Sequence, residues 1–226
     1  MDASAVAEAV ARVEQRLAVL APDRIVQLVA VTKGFGADAI RAAIAAGCRA
    51  IGENYAQELQ HKMAELGAEE PLDPAPEVHF IGQLQTNKVR LLASLVDVWE
   101  TVDRESLADE IAKRVAAARV YVQVNTTGEA GKGGCARSEA AALVTHCTSK
   151  GLRVEGLMTV GPTSGDPEQT SAAFARLAAL SDELGVEARS MGMSGDYELA
   201  VAHGATHVRI GSALFGPRPF RRAQMG

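Results

Sequence analysis

The sequence predicts an α/β protein: a single (β/α)8 TIM barrel with an extra N-terminal helix, formed by residues 1–226 as one domain. Three observations carry this. Short apolar runs rich in Val and Ile recur eight times, and most are separated by helical patterns of ten or more residues. Such alternation calls for parallel strands joined by helical crossovers, and eight units suffice to close a sheet on itself. A further amphipathic helix precedes the first run, and 226 residues can bury a substantial core without disulfide or metal support. A doubly wound open sheet is the alternative topology.

Val6, Val10, Val13, Leu17 and Leu20 recur at helical spacing, and Pro22 ends that opening helix. "IVQLVAV" is the first strand, and the helical pattern "ADAIRAAIAAG" after it stops at Gly47 as a helix C-terminus would. The unit then repeats: "RAIG" with "NYAQELQHKMAELG", "EVHFIG" with "TNKVRLLASL", "VDVWETV" with "RESLADEIAKRVAAA". "RVYVQVN" with "SEAAALVTHCTSKG", "LRVEGLMTV" with "PEQTSAAFARLAALSDELG", "EARSMG" with "DYELAVAHG", and a last strand "HVRIG" complete the series. Ala68 to Glu77, with three prolines and several acids, reads as an inserted, mobile surface loop.

A net charge of −5 spread over both halves offers no basic stripe for a nucleic-acid backbone, so no nucleic-acid partner is expected. The N-terminus lacks the pattern of a signal peptide, and no segment reaches the ~20 apolar residues of a membrane span. Cys48, Cys135 and Cys147 are odd in number and form no CxxC pair, which suits a reducing compartment. The expectation is a cytoplasmic protein with no membrane partner.

In barrels of this type reactive groups gather at the C-terminal strand ends, and phosphate binds after strands seven and eight. There the chain places "SMGMSGDYELA" and "HVRIGSALFG". Gly192, Ser194, Gly211 and Ser212 let the backbone approach an anion and offer N–H and hydroxyl donors, and a helix starting after Ser194 would add positive potential. Tight βα turns alone would also use these glycines. Lys33 ends the first strand in "VAVTK". Most isolated lysines are solvated, but one partly desolvated at a barrel mouth can lose its proton and bond an aldehyde as a Schiff base. A lysine beside a phosphate cradle points to a phosphorylated aldehyde, either pyridoxal 5′-phosphate or a sugar phosphate.

Five ordered motifs, "AVTKGF", "GENYAQE", "HFIGQLQTNK", "GLMTVGP" and "GMSGDYELAVAHGATHVRIGSALFG", span almost the whole chain. Together they resemble the pyridoxal phosphate homeostasis proteins, whose fold is similar to the alanine racemase N-terminal domain. The resemblance implies a carrier or reservoir of the vitamin B6 cofactor without established turnover. It implies that Lys33 holds pyridoxal 5′-phosphate as an aldimine, that Asn54 lies close by, that Ser194, Gly211 and Ser212 receive its phosphate, and that Met193 is a further cofactor-binding residue. Arg209 is the residue it puts near the pyridine nitrogen. A guanidinium cannot accept that nitrogen's proton, so the ring would be a weak electron sink. Pyridoxal phosphate-dependent apoenzymes are the expected recipients, and a barrel without a sister domain is expected to be monomeric. Gly195 and Tyr197 depart from the family pattern, which affects the local helix start rather than the phosphate donors.

An enzyme remains the competing class: an amino-acid racemase or a Schiff-base sugar-phosphate aldolase. Alanine racemase adds a C-terminal β-domain, for which "GPRPFRRAQMG" is too short. Racemisation needs a second acid or base, for which Tyr55 or His79 are the candidates. "TTGEAGKGGC" fails as a P-loop, because Thr126 replaces its first glycine and Gly133 its hydroxyl residue. Lys132 in that loop is then either a solvated charge or a second amine near the site, and the resemblance suggests a transfer role. His203 and His207 lack the glutamate of a zinc helix motif, so no metal site is expected. His61 and His146 read as surface or packing residues, Trp99 as core, and His79 as a satisfied inward-facing histidine or a cofactor contact.

Overall fold

The computed structural model describes residues 1–68 and 72–218. Helix α1 (Ala3–Leu20) starts at Asp2, whose carboxylate accepts the Ser4 and Ala5 N–H groups. It is followed by β1 (Gln27–Val31), α2 (Ala37–Ala45), β2 (Ala50–Glu53), α3 (Ala56–Gly67) and β3 (Glu77–Phe80). A 3-10 turn at Thr86–Lys88 leads into α4 (Val89–Leu92), then β4 (Val98–Val102), α5 (Glu105–Arg114) and β5 (Arg119–Gln123). The chain continues through α6 (Ala140–Ser149), β6 (Arg153–Met158), α7 (Pro167–Leu184), β7 (Ala188–Met193), α8 (Tyr197–Ala202), β8 (His207–Ile210) and α9 (Ser212–Phe215).

The eight strands form a closed parallel barrel in sequence order, and β1 pairs with β8 with Val29 opposite Arg209. The expected (β/α)8 barrel is therefore the architecture, and the open doubly wound sheet is not. Closure brings the end of β1, where Lys33 follows, beside the end of β8. The loop predicted at Ala68 to Glu77 lies partly outside the described residues, and Glu77 itself belongs to β3. Several helices are shorter than their patterns, among them those after β3 and β7. "TNKVRLLASL" forms only the 3-10 turn and one turn of α4, and α8 covers six residues. Neither needs length, because each has only to return the chain across the sheet.

The main apolar core lies between the strands and the helix ring, with Ile40, Ile51, Leu59, Leu107, Ile111, Phe174 and Leu177 fully buried. Burying each such side chain contributes about 1.5–3 kcal/mol. Trp99 belongs to this core as expected. Helix α1 packs its Val6, Val10, Val13 and Leu17 face over the β8-to-β1 side, touching α2, α8 and α9. Arg16 pins it to Glu198 of α8 through two bonds of 2.9 and 2.7 Å.

The barrel lumen is filled differently. Apart from the small apolar cluster Val98, Tyr121 and Met158, it holds a polar ladder. His79 Nδ1 is 2.6 Å from Glu100, and its Nε2 is 2.7 Å from Glu77. Glu77 pairs with Arg119, which also binds Glu155 at 2.5 Å. Upward, Ser190 donates to Glu100 at 2.6 Å and accepts from Arg209 at 2.6 Å. Two of these contacts join non-neighbouring strands, Glu77 of β3 with Arg119 of β5 and Ser190 of β7 with Glu100 of β4, so the ladder ties separate walls together beneath the barrel mouth. Buried charges survive folding only when paired in this way.

Candidate functional site

Above the ladder, a cavity of about 540 Å³ opens at the C-terminal ends of the strands. Lys33, Asn54, Met193, Ser194, Arg209, Gly211 and Ser212 all line it. They come from the ends of β1, β2, β7 and β8, so the barrel gathers residues that lie nearly 180 positions apart in sequence. Phe35, Ile81, Met158 and Val160 supply apolar wall, and Arg218 reaches in from beyond α9.

Lys33 is partly buried, and desolvation lowers the pKa of its amine below the ordinary 10.5. The positive charges of Arg218 and Arg209 push the same way, against the opposing pull of Glu53. A larger share of neutral, nucleophilic amine follows at neutral pH. Arg209 is 4% exposed and is anchored from Nη1 to Ser190 and from Nη2 to the Thr159 carbonyl at 2.7 Å, with Glu100 3.8 Å away. Its guanidinium is thereby fixed at the cavity floor as a pure hydrogen-bond donor.

Just beyond Arg209, the backbone N–H groups of Gly211 and Ala213 both donate to Ser194 Oγ at 3.3 Å. Two amides converging on this oxygen mark a point where an acceptor is received, and they leave the Ser194 hydroxyl proton to donate to an anion. A Cβ at position 211 would stand 3.2 Å from the Val31 carbonyl, so glycine keeps this loop close to β1. The helix expected after Ser194 is α8, which begins at Tyr197, and Asp196 accepts the Met193 N–H at 2.6 Å. The donors that meet Ser194 come from the turn after β8. Gly195 forms open cavity wall, and Tyr197 packs so close to Gly192 that a Cβ there would meet Tyr197 Cα at 3.0 Å. Asn54 Oδ1 is buried without a hydrogen-bond partner in the described structure, beside the cavity that the residue lines. An orphaned buried acceptor in a residue that lines a cavity suits a donor-bearing ligand.

The other candidates fall outside. His79 is locked in the ladder, fully buried between two glutamates, and Tyr55 lines a neighbouring cavity instead. Lys132 is not a free solvated charge: its ammonium bonds the Gly161 carbonyl at 2.5 Å and Glu129 at 3.0 Å, bridging the loops after β5 and β6. His203 meets Ser171 at 2.7 Å, whereas His207 stacks edge-on against Tyr121, so the two do not converge. Among the described residues no cluster of three or more metal-ligating side chains exists, and no helix is long and apolar enough to cross a membrane. The three cysteines are buried thiols, each pushed above the usual range by burial.

Residues 1–219 match the family model described as "Alanine racemase, N-terminal domain". A "Pyridoxal phosphate homeostasis protein" of Pseudomonas aeruginosa is 42% identical, covering 96% of this chain and 97% of its own. The chain belongs to the alanine racemase N-terminal domain family and, within it, to the pyridoxal phosphate homeostasis proteins. Among solved structures of the family's kind, PipY of Synechococcus elongatus with PLP bound is 33% identical, with a TM-score of 0.78 and coverage of 90% of this chain and 99% of that one. Alanine racemase from Corynebacterium glutamicum is 18% identical and covers 99% of this chain and 64% of that one; its TM-score of 0.72 shows a shared fold.

Proposed function

We propose that this family member binds pyridoxal 5′-phosphate in the cavity at the barrel mouth and serves vitamin B6 homeostasis as its carrier. The observation that carries the reading is one cavity uniting an amine of lowered pKa with the Ser194 hydroxyl and the amides that converge on it. The residues present fit the group. The hydroxyls of Ser194 and Ser212 suit a phosphate, the unpaired Asn54 Oδ1 suits a hydroxyl or protonated donor, and Lys33 suits an aldehyde.

When bound, the cofactor supplies an aldehyde carbon that a neutral primary amine bonds with loss of one water. The protein's own part is positional. Lys33 presents its amine from a rigid strand end, and Ser194 with the Gly211 and Ala213 amides holds the anionic end. Met193 and the apolar wall residues cover the ring. Arg209, fixed by Ser190 and Thr159, brings no proton acceptor to the floor.

Carriage rather than turnover is supported by what the cavity lacks. Among its described lining residues Lys33 is the one amine, its pKa lowered by burial, and no Asp, Glu, His, Tyr or Cys joins it. Racemisation and aldol cleavage each need a second acid or base within hydrogen-bond reach. We further read the chain as one cytoplasmic, monomeric domain that passes its cargo to apoenzymes requiring it, and the relatives' homeostasis name is the support for that role.

Titration of the protein with pyridoxal 5′-phosphate, followed by visible absorbance, tests the reading. One equivalent is taken up, and Ser194→Ala weakens uptake by about ten- to a hundredfold, the loss of one charge-assisted hydrogen bond of about 1.5–3 kcal/mol. In heavy water the loaded protein leaves the α-proton of amino acids in place. Rapid exchange for any amino acid would make it a racemase, and no uptake at all would refute cofactor binding.

A further inference from the structure

The lysine that faces the cavity has a second, wholly buried lysine behind it. Lys62 of α3 is 2% exposed, one of the largest fully buried side chains in the molecule. Its ammonium bonds Glu53 Oε1 at 2.6 Å, Glu58 Oε1 at 2.7 Å and the Thr32 carbonyl at 2.8 Å. Three acceptors match the three donors of an ammonium, which is what such a charge needs to remain buried.

These contacts converge on the residues that flank Lys33. The Thr32 carbonyl accepts from Lys62, the Thr32 hydroxyl donates to Glu53 Oε1 at 2.6 Å, and the Gly34 N–H donates to Glu58 Oε1 at 2.6 Å. The chain around Lys33 is thus held on both sides by one ion cluster built from β2 and α3. Position 34 has φ of +80°, a turn that glycine adopts freely and that frees Lys33 from strand pairing beyond Val31. The turn is closed internally by the Phe35 N–H to the Thr32 carbonyl at 3.1 Å, and the cluster anchors it from outside through that same carbonyl and the Gly34 N–H. None of the three charged residues lines the cofactor cavity.

We propose that Lys62 and Glu58 are positioning residues that clamp the peptide groups either side of Lys33 and set its amine for covalent capture of the aldehyde. The proposal rests on the reading that Lys33 bonds pyridoxal 5′-phosphate. It differs from a general stabilising role because it separates two steps. Seating the phosphate depends on the Ser194 and Gly211 turns, whereas bond formation depends on where Lys33 Nζ stands. Displacing a reacting atom by about 1 Å costs up to ~100-fold in rate.

The test compares wild type, Lys62→Met, Glu58→Ala and Glu58→Gln. Three quantities are read: the rate constant for covalent capture of pyridoxal 5′-phosphate, the affinity for pyridoxine 5′-phosphate, which lacks the aldehyde, and amide exchange at Gly34. Lys62→Met and Glu58→Ala slow capture by about tenfold or more and speed Gly34 exchange, while affinity for the aldehyde-free analogue stays within about threefold. Glu58→Gln retains a carbonyl oxygen for the Gly34 N–H and recovers capture to within about threefold of wild type. Should Lys62→Met fail to fold, the two Glu58 variants decide the matter alone. Capture at the wild-type rate in Glu58→Ala overturns the clamp, and so does an equal loss in capture and analogue binding. A wild-type protein that captures no aldehyde refutes the cofactor reading instead.

Discussion

The polar ladder inside the barrel makes protein stability depend on pH through one residue. His79 is fully buried. Burial disfavours its charge, but bonds to Glu100 and Glu77 outweigh that cost and raise its pKa from 6.5 to about 9. Because the folded value lies above the unfolded one, the stabilisation is fully present below pH 6.5 and is lost as pH rises through 9. A difference of about 2.5 units at about 1.36 kcal/mol per unit gives about 3 kcal/mol. Glu100, held down to about 2, owes this to the same contact among others, so its shift is not added. The perturbation is His79→Gln, and the assay is urea unfolding of both proteins between pH 6 and pH 9.5. Subtracting the variant removes the contribution of the cysteines and other histidines. Wild type exceeds the variant most at pH 6, and about 3 kcal/mol of that excess disappears by pH 9.5. Parallel curves would refute the charged-histidine account of the ladder.

Two further outcomes follow from the cavity. Arg218→Ala removes a positive charge that disfavours the Lys33 ammonium, so the pH midpoint for aldehyde capture moves up; an unchanged or lower midpoint would show that Arg218 does not act on Lys33. Gly192 has φ of +95° and lies where a Cβ would come within 2.6 Å of Ala200 Cβ. Gly192→Ala therefore destabilises the fold by about 2 kcal/mol or more in thermal unfolding, and a loss below about 0.5 kcal/mol would contradict the close packing of β7 on α8.

The barrel was legible in the sequence because each parallel strand reads as a short Val- and Ile-rich run and each crossover as a helical pattern. The candidate site was legible for a similar reason. Strand ends carry function in this architecture, and "VAVTK", "MGMS" and "VRIGS" each mark such an end. Long-range pairing was not legible. His79 reads as a lone satisfied histidine, yet its role comes from Glu100 one strand away and from the contacts that tie Glu100 to Ser190 and Arg209 across the lumen. Lys62 looks like one more polar residue on an amphipathic helix, because nothing in "QELQHKMAEL" reveals that Glu53 on β2 waits for it. Lys132 likewise has no local signal for its bond to the Gly161 carbonyl, 29 residues on. The short α4 shows the opposite failure: a helical pattern of ten residues gave way to a 3-10 turn and a single helical turn.

Mass spectrometry of the native protein and of the protein reduced with borohydride tests the central claim, that Lys33 and the Ser194 turn bind pyridoxal 5′-phosphate. The account predicts one phosphopyridoxyl group per chain, carried on the peptide containing Lys33 and absent from Lys33→Ala. A reduced protein that carries no such group after incubation with the cofactor, or carries it equally on other lysines, would contradict it.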